Sequence, residues 1–279
     1  MIAAIISFGL GHIHSPNIMA WQIIFIFGQV WEMFCDPKSY LFLAMTLLLN
    51  IGAAVTNAFG PTPISNFGFD AFVTALLNMP FGFLQFNCIL LASYAAARWK
   101  YKASVLAAFG LPVVVGLAML YAEGVSKSFR QSVALAGYYL FAVLFGGNPL
   151  IVSWMVANTA GQTKKSAVMS LYNAGSSVGT IVGPLLFDAQ DKPHYIPDVK
   201  ATLGVFCALL GVIGIQCFVL FSLNKVRQRQ RVAHGKPRDI VDTSMADKYQ
   251  AYGAGNDALG QNALLDMTDF RNDEFVYVY

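Results

Sequence analysis

Charged residues are scarce in this chain. Only 12% of its 279 residues are Asp, Glu, Lys or Arg, whereas 56% are hydrophobic and 22 residues are Phe. A soluble domain of this length needs more charge to cover its surface, so the composition excludes an ordinary soluble protein. The sequence instead favours a protein that lies within a lipid bilayer.

The sequence also lacks metal-binding patterns, and we expect that its first residues are not a secretory leader. The four cysteines have no metal-ligand spacing, and three of them lie inside or beside apolar runs, where Cys acts as a small hydrophobe. His12 and His14 stand two residues apart with no third ligand nearby, so we expect neither a metal nor a cofactor. Residues 1–34 contain no Lys or Arg, which is unlike a signal peptide.

Six apolar runs are long enough to cross about 30 Å of hydrocarbon as helices. They predict an all-α integral membrane protein with a six-helix bundle, whose spans are 40–59, 71–97, 104–122, 133–160, 166–187 and 199–223. An earlier run, 19–34, covers only about 24 Å as a helix and contains Glu32. We therefore divide the chain into an N-terminal segment (1–38), the bundle (39–224) and a tail (225–279).

Basic residues alternate between the two ends of the predicted spans. Eleven Lys or Arg residues follow the second, fourth and sixth spans, against four in the other loops. The positive-inside rule then predicts that the first span begins in the cytoplasm and that the tail ends there.

The tail is polar and has no helical periodicity. It contains seven Asp and one Glu, which favours disorder. Its last residues, 275–279, are unusually aromatic, so a docking peptide is the alternative interpretation.

Polar side chains within the spans are the candidates for a solute pathway, because such residues are costly in a membrane. Helix–helix hydrogen bonding or packing is the alternative for each of them, and Asn158 is also placed to brace a loop. We predict the following pathway residues: Asn50, Asn57, Asn78, Gln85, Asn148, Trp154, Asn158 and Asn173. Gly175, Gly179 and Gly183 are spaced four residues apart and predict a close helix–helix contact rather than a binding site.

Several segments resemble the fungal allantoate permease family, the anion:cation symporter branch of the major facilitator superfamily. Residues 153–165 read SWMVANTAGQTKK, and residues 179–187 read GTIVGPLLF. Shorter segments resemble the same family before the first span, in an outer loop and in the tail: 36–37, 191–195, 238–239, 266–269 and 274–277. The resemblance covers about residues 30–279.

This resemblance implies a transporter of small organic anions, such as a ureide or a carboxylated vitamin. It would work by alternating access and would be coupled to protons when complete. The family has two six-helix halves, and the chain resembles only the second, with an apparent junction near residues 28–30. Ala97 stands where many superfamily members have the Asp of a Gly-x-x-x-Asp-Arg motif, which weakens that motif's role in closing the cytoplasmic side.

The interiors of the six spans contain no Asp, Glu, Lys, Arg or His. Charges for proton coupling would therefore have to come from the missing half, or from an intact transporter that acts as a partner. A non-transporting remnant that interacts with intact transporters is the alternative function. An enzyme is disfavoured, because no nucleophile–base pair or buried acid is evident.

Overall fold

The computed structural model describes residues 28–59, 70–99, 101–126, 130–186, 196–240 and 267–279. The long helices within these ranges are α1 (Pro37–Phe59), α2 (Ala71–Arg98), α3 (Lys102–Val125), α4 (Gln131–Phe141), α5 (Gly147–Ala157), α6 (Gln162–Leu185) and α7 (Ile196–Ala233). Residues 28–34 form a short helical segment before α1.

The prediction of an all-α membrane bundle is confirmed. An apolar chain in lipid must satisfy its backbone N–H and C=O groups internally, which a helix does within one segment. Five spans in the described residues are long and apolar enough to cross a membrane, with α4 and α5 counted as one. The predicted fifth span corresponds to α6, which is not one of these five and has polar residues such as Asn173, Ser176 and Ser177 in its middle.

The predicted span 133–160 is interrupted rather than continuous. A 3-10 turn, Ala142–Gly146, separates α4 from α5. Pro149 has no N–H to donate to the carbonyl of Phe145, so the regular hydrogen-bond ladder fails at this point. The glycines on either side of the junction allow close packing: a Cβ on Gly146 would lie 2.6 Å from the Phe109 ring.

Helix α1 lies at the centre of the bundle. It packs against α6 on one side and α7 on the other, and it also touches α5. Phe42, Met45 and Trp154 are fully buried in the core between these helices. By contrast, α2 leaves a large apolar surface exposed, which includes Phe72, Phe83 and Phe86, as expected of a helix that faces lipid or another helix bundle.

Two described parts of the tail, 225–240 and 267–279, differ from the prediction that residues 225–279 are disordered, whereas 241–266 lie outside the described residues. Helix α7 continues beyond residue 224 to Ala233, and residues 267–279 pack against the bundle. They contact the end where α1, α3 and α6 begin and α2, α5 and α7 end, which we call the tail-bearing end. The sequence lacks a periodic signal here, because these contacts join residues far apart in the chain, such as Asn224 with Tyr277, 53 positions on, and Lys164 with Asp269, 105 positions on.

Candidate functional site

Polar residues form a continuous stripe along one exposed face of α6. Its members repeat at alternating intervals of four and three residues, so they lie on one side of the helix over about 21 Å. All of them are exposed: Ser166, Ser170, Asn173, Ser177 and Thr180. We call this set the α6 polar stripe.

Most hydroxyls of the α6 polar stripe are already bonded to their own helix. Ser166, Ser170, Ser177 and Thr180 each donate to the carbonyl oxygen four residues earlier, at 2.9–3.0 Å. Such bonds allow hydroxyls to exist in an apolar setting, and the hydroxyl oxygens keep a lone pair for a further donor. The stripe is therefore a surface that a polar solute or water can contact.

A cluster of amide and phenol groups lies where α1, α5 and α6 meet. Asn50 is 7% exposed and donates from Nδ2 to the carbonyl of Thr46 at 2.8 Å and to Asn148 Oδ1 at 3.3 Å. The Tyr172 hydroxyl donates to the same Asn148 oxygen at 3.0 Å. Asn148 Oδ1 thus joins three helices, and we call these residues the Asn148 cluster.

A second polar contact joins α2 to α4. The Tyr138 hydroxyl donates to Asn78 Oδ1 at 3.1 Å, and the Tyr139 hydroxyl donates to the carbonyl of Leu77 at 2.9 Å. Phe81 stacks on Tyr138, with ring centroids 4.6 Å apart, and meets Phe145 edge-on at 6.3 Å. Phe145 lies three residues before Asn148, so this aromatic group extends from the Tyr138–Asn78 contact toward the Asn148 cluster along the chain.

Trp154 and Asn158 lie apart from these contacts. Trp154 is 0% exposed, meets Phe42 edge-on and donates from Nε1 to the carbonyl of Val278 at 2.9 Å. Asn158 donates to the carbonyls of Trp154 and Val278. Both side chains contact the docked tail rather than the Asn148 cluster or the α6 polar stripe, and their role as pathway residues stays a prediction.

The remaining predicted pathway residues are dispersed. Asn173 belongs to the α6 polar stripe, and Gln85 is half-buried on α2. The side chain of Asn57 lies outside the described ones. The structure therefore brings together Asn50 with Asn148, and Asn173 with the α6 stripe.

The three glycines of α6 face α1. A Cβ would lie 2.6 Å from Leu43 Cδ1 at Gly175, 2.7 Å from the carbonyl of Leu47 at Gly179 and 2.6 Å from that of Ile51 at Gly183. Only glycine allows backbones to approach this closely. The close contact fixes the direction of the opposite face of α6, which carries the polar stripe.

Sequence reasoning missed the phenol groups. The predicted pathway residues do not include Tyr172, which bonds Asn148, or Tyr138, which bonds Asn78. The spacing of Tyr172 is the sequence signal that could have identified it as a polar contact. It lies four residues before Ser176, on the same face of one helix. In the part of the chain that the structure describes, no group of three His, Cys, Asp or Glu side chains could hold a metal ion.

This architecture defines a multi-pass integral membrane protein with a polar face on one of its helices. The chain is homologous to transporters of the MFS type, and the predicted resemblance is thereby confirmed. It is 26% identical over 260 residues to the thiamine pathway transporter THI73 of Saccharomyces cerevisiae, with 90% of this chain covered. It is also 26% identical over 258 residues to the allantoate permease of the same yeast and 27% identical over 222 residues to the MFS-type transporter cnsL of Penicillium expansum, with 89% and 79% of this chain covered.

The chain spans less than half the length of these relatives, namely 43% of the thiamine pathway transporter and of the allantoate permease and 45% of cnsL. No family model and no solved structure matches the chain significantly.

Proposed function

We propose that the chain forms one half of a membrane transporter for small organic anions, of the ureide or vitamin-carboxylate class. The transporter would work by alternating access and would be proton-coupled when complete. Support for this substrate class comes from the relative that is named an allantoate permease, because allantoate is a ureide with a carboxylate group.

The observation that carries the proposal is the α6 polar stripe. Five polar residues on one exposed face of a membrane helix are unfavourable against lipid, and they are expected where a helix lines a water-filled path. The Asn148 cluster supports the same view, because it places amide and phenol groups at the junction of three helices beside this helix.

The orientation follows from the distribution of basic residues. We propose that the tail-bearing end faces the cytoplasm, because Arg98, Lys165 and Arg229 lie there and positive charge accumulates on that side. By analogy with a permease, we place the protein in the plasma membrane, where a path would connect the medium to the cytoplasm.

Uptake in yeast tests the proposal directly. Cells that lack their own allantoate permease would express this chain either alone or with the part of the yeast permease that the chain does not match. We expect uptake of labelled allantoate with the two polypeptides together and none with either one alone. If both polypeptides reach the membrane and no uptake occurs, the proposed transport is wrong.

The α6 polar stripe can be tested with a matched pair of variants in the same assay. Ser177→Leu places an apolar side chain within the stripe. Val178→Leu introduces the same side chain at the next position, which is exposed and already apolar. We expect Ser177→Leu to lower uptake by roughly threefold to tenfold, the equivalent of one or two lost hydrogen bonds, and Val178→Leu to leave it unchanged. Equal uptake in the two variants contradicts a pathway along this face.

A non-transporting remnant that associates with intact transporters is the second candidate. It is favoured by the length of the chain, which spans 43% of its first relatives. An antibody against the 250–262 segment would show the size of the native product in the membrane fraction. A band near 30.4 kDa that co-purifies with an intact transporter supports this candidate, and a band about twice that size supports the first one.

A further inference from the structure

Four charged side chains form a buried cluster at the tail-bearing end. Lys164 Nζ lies 2.9 Å from Asp36 Oδ2 and 2.9 Å from Asp269 Oδ1. Lys38 pairs with the same two carboxylates, at 3.3 Å from Asp36 Oδ2. All four side chains are at most 1% exposed. Two come from α1 and its approach, one from α6 and one from the tail.

The tail supplies half of the negative charge of this cluster. With Asp269 in place, two lysines face two carboxylates, and the cluster is neutral. Burial raises the pKa of Asp269, but Lys38 and Lys164 lower it by more, so this pKa lies below its usual range and the carboxyl is ionised at neutral pH. Tyr277 adds a hydrogen bond from its hydroxyl to Asp269 Oδ2 at 3.0 Å, and Lys38 Nζ lies 4.6 Å from the centre of its ring.

Two asparagine side chains hold the backbone of the last residues. Asn158, at the end of α5, donates to the carbonyl of Val278 at 2.9 Å and accepts from the N–H of the same residue at 2.8 Å. Asn224, on α7, makes the equivalent pair with Tyr277, at 2.8 Å and 2.9 Å. Each amide thus pairs with the N–H and the C=O of one residue, as a neighbouring β-strand would.

Further polar contacts surround the charged cluster and the two asparagine pairs. Asp273 accepts from Lys236 Nζ at 2.9 Å and lies 2.9 Å from His234 Nδ1, while Arg271 pairs with Glu32 at 2.8 Å. The approach of the tail also requires Gly161, which has a φ of 89°. A Cβ at that position would lie 3.3 Å from Thr268 Cγ2.

We propose that residues 267–279 are an internal peptide ligand that straps the tail-bearing end of the bundle, with Asp269 as the residue that recognises the two buried lysines. When docked, the strap ties together the ends of α1, α5, α6 and α7. When released, it leaves Lys38 and Lys164 facing only Asp36, so the empty groove carries an excess positive charge. The strap therefore controls whether these helix ends form one unit.

The physical reason for a specific strap lies in the cost of an unbalanced buried charge. Removing one partner of a buried ion pair is far more costly than removing the whole pair, because the remaining charge stays without compensation. Apolar contacts alone would hold an aromatic tail in several positions. The neutral cluster and the two asparagine pairs together fix a single register.

A thiol at position 278 reports on docking. Val278 is 6% exposed, so Val278→Cys, made after the four native cysteines are replaced by serine, should react slowly with a maleimide in the full-length protein. We expect Asp269→Asn to raise the labelling rate by at least about tenfold. Asp239→Asn is the matched control, because it makes the same change at an exposed residue outside the strap, and it should leave the rate unchanged.

A second substitution separates recognition of charge from misfolding. Lys38→Met together with Asp269→Asn removes one charge of each sign, so the remaining Lys164 and Asp36 are balanced. We expect this double variant to label more slowly than Asp269→Asn alone. An unchanged rate in Asp269→Asn, or no rescue by Lys38→Met, would overturn the role of Asp269.

Free peptide tests whether the strap can exchange. A tethered segment has an effective concentration on the order of millimolar, so several millimolar of a peptide with the sequence of residues 267–279 should compete with it. Labelling of the Val278→Cys protein should then rise at least about twofold, and the same peptide with Asp269→Asn should have no effect. No rise with the unaltered peptide overturns the proposal of a releasable strap. These readouts need no transport, so they stand apart from the uptake assay.

Discussion

At the scale of single residues, Asp269 links the chemistry of the strap to pH. It pairs with Lys38 at the start of α1 and with Lys164 of α6, and it accepts a hydrogen bond from Tyr277 of the tail. Asp36, just before α1, shares both lysines with it. Its pKa in the folded protein lies below the ordinary value of 3.8, because the two lysines outweigh the effect of burial. Its contribution to docking is therefore complete above about pH 4 and is lost as the pH falls through the lower folded value.

Fluorescence of Trp154 measures this dependence. With Trp21, Trp31 and Trp99 replaced by Phe, emission would report on the indole that donates to Val278. We expect a constant spectrum from pH 7.5 to about 4 and a shift to longer wavelength in more acid solution. The Asp269→Asn variant should show the shifted spectrum at every pH. A transition at a higher pH would contradict the assignment of this dependence to Asp269.

Individual residues also mark the limit of what the sequence could predict. The amide of Asn158 was expected to brace a loop, and an aromatic docking peptide at 275–279 was one of two interpretations of the tail. The pairing of Lys38 and Lys164 with Asp269 was not predicted, because residues 105 and 231 positions apart leave no local pattern. Such pairs follow only from the folded arrangement of the helices.

At the scale of helices, the α1–α6 contact depends on glycine. A Cβ at Gly179 would lie 2.7 Å from the carbonyl of Leu47 and 2.9 Å from the Asn50 Cβ, so the two helices would have to separate. We expect Gly179→Ala to lower the free energy of unfolding by roughly 1–3 kcal/mol, as overpacking does elsewhere.

The control for this change lies on α7. A Cβ at Gly211 would have no heavy atom of the described residues within 4 Å, so Gly211→Ala should be neutral or should stabilise the helix by about 0.5–1 kcal/mol. Thermal unfolding in detergent compares the two variants. Equal melting temperatures would mean that the α1–α6 contact tolerates a methyl group.

Helix positions were largely predictable and their interruptions were not. The apolar runs placed α1, α2 and α3 within a few residues of their observed bounds, because length and hydropathy determine a membrane span. The 3-10 turn at Ala142–Gly146 escaped prediction, since an apolar run gives no sign of where the hydrogen-bond ladder changes. The extension of α7 to Ala233 escaped as well, because its last turns are polar and lie beyond the apolar run.

At the scale of the whole molecule, exposed surface divides into two kinds. Helix α2 exposes large apolar side chains such as Phe83 at 69% and Leu91 at 61%, whereas α6 exposes its polar stripe. Only the first kind is suited to lipid. The composition predicted the membrane environment, but it could not show which helix turns its polar face outward, because that direction is set by the packing of the glycines on α1.

The alternation of basic loops predicts a topology that can be measured on α3. This helix, Lys102–Val125, covers about 36 Å, so its two ends should lie on opposite sides of the membrane. After the native cysteines are replaced by serine, Trp99→Cys and Ser126→Cys place a single thiol just outside each end. Both positions are exposed.

Because positive charge accumulates on the cytoplasmic side, an impermeant maleimide should label Ser126→Cys in intact spheroplasts and Trp99→Cys only after permeabilisation. The reverse pattern would place the strap outside the cell, and labelling of both thiols in intact spheroplasts would contradict a membrane crossing by α3.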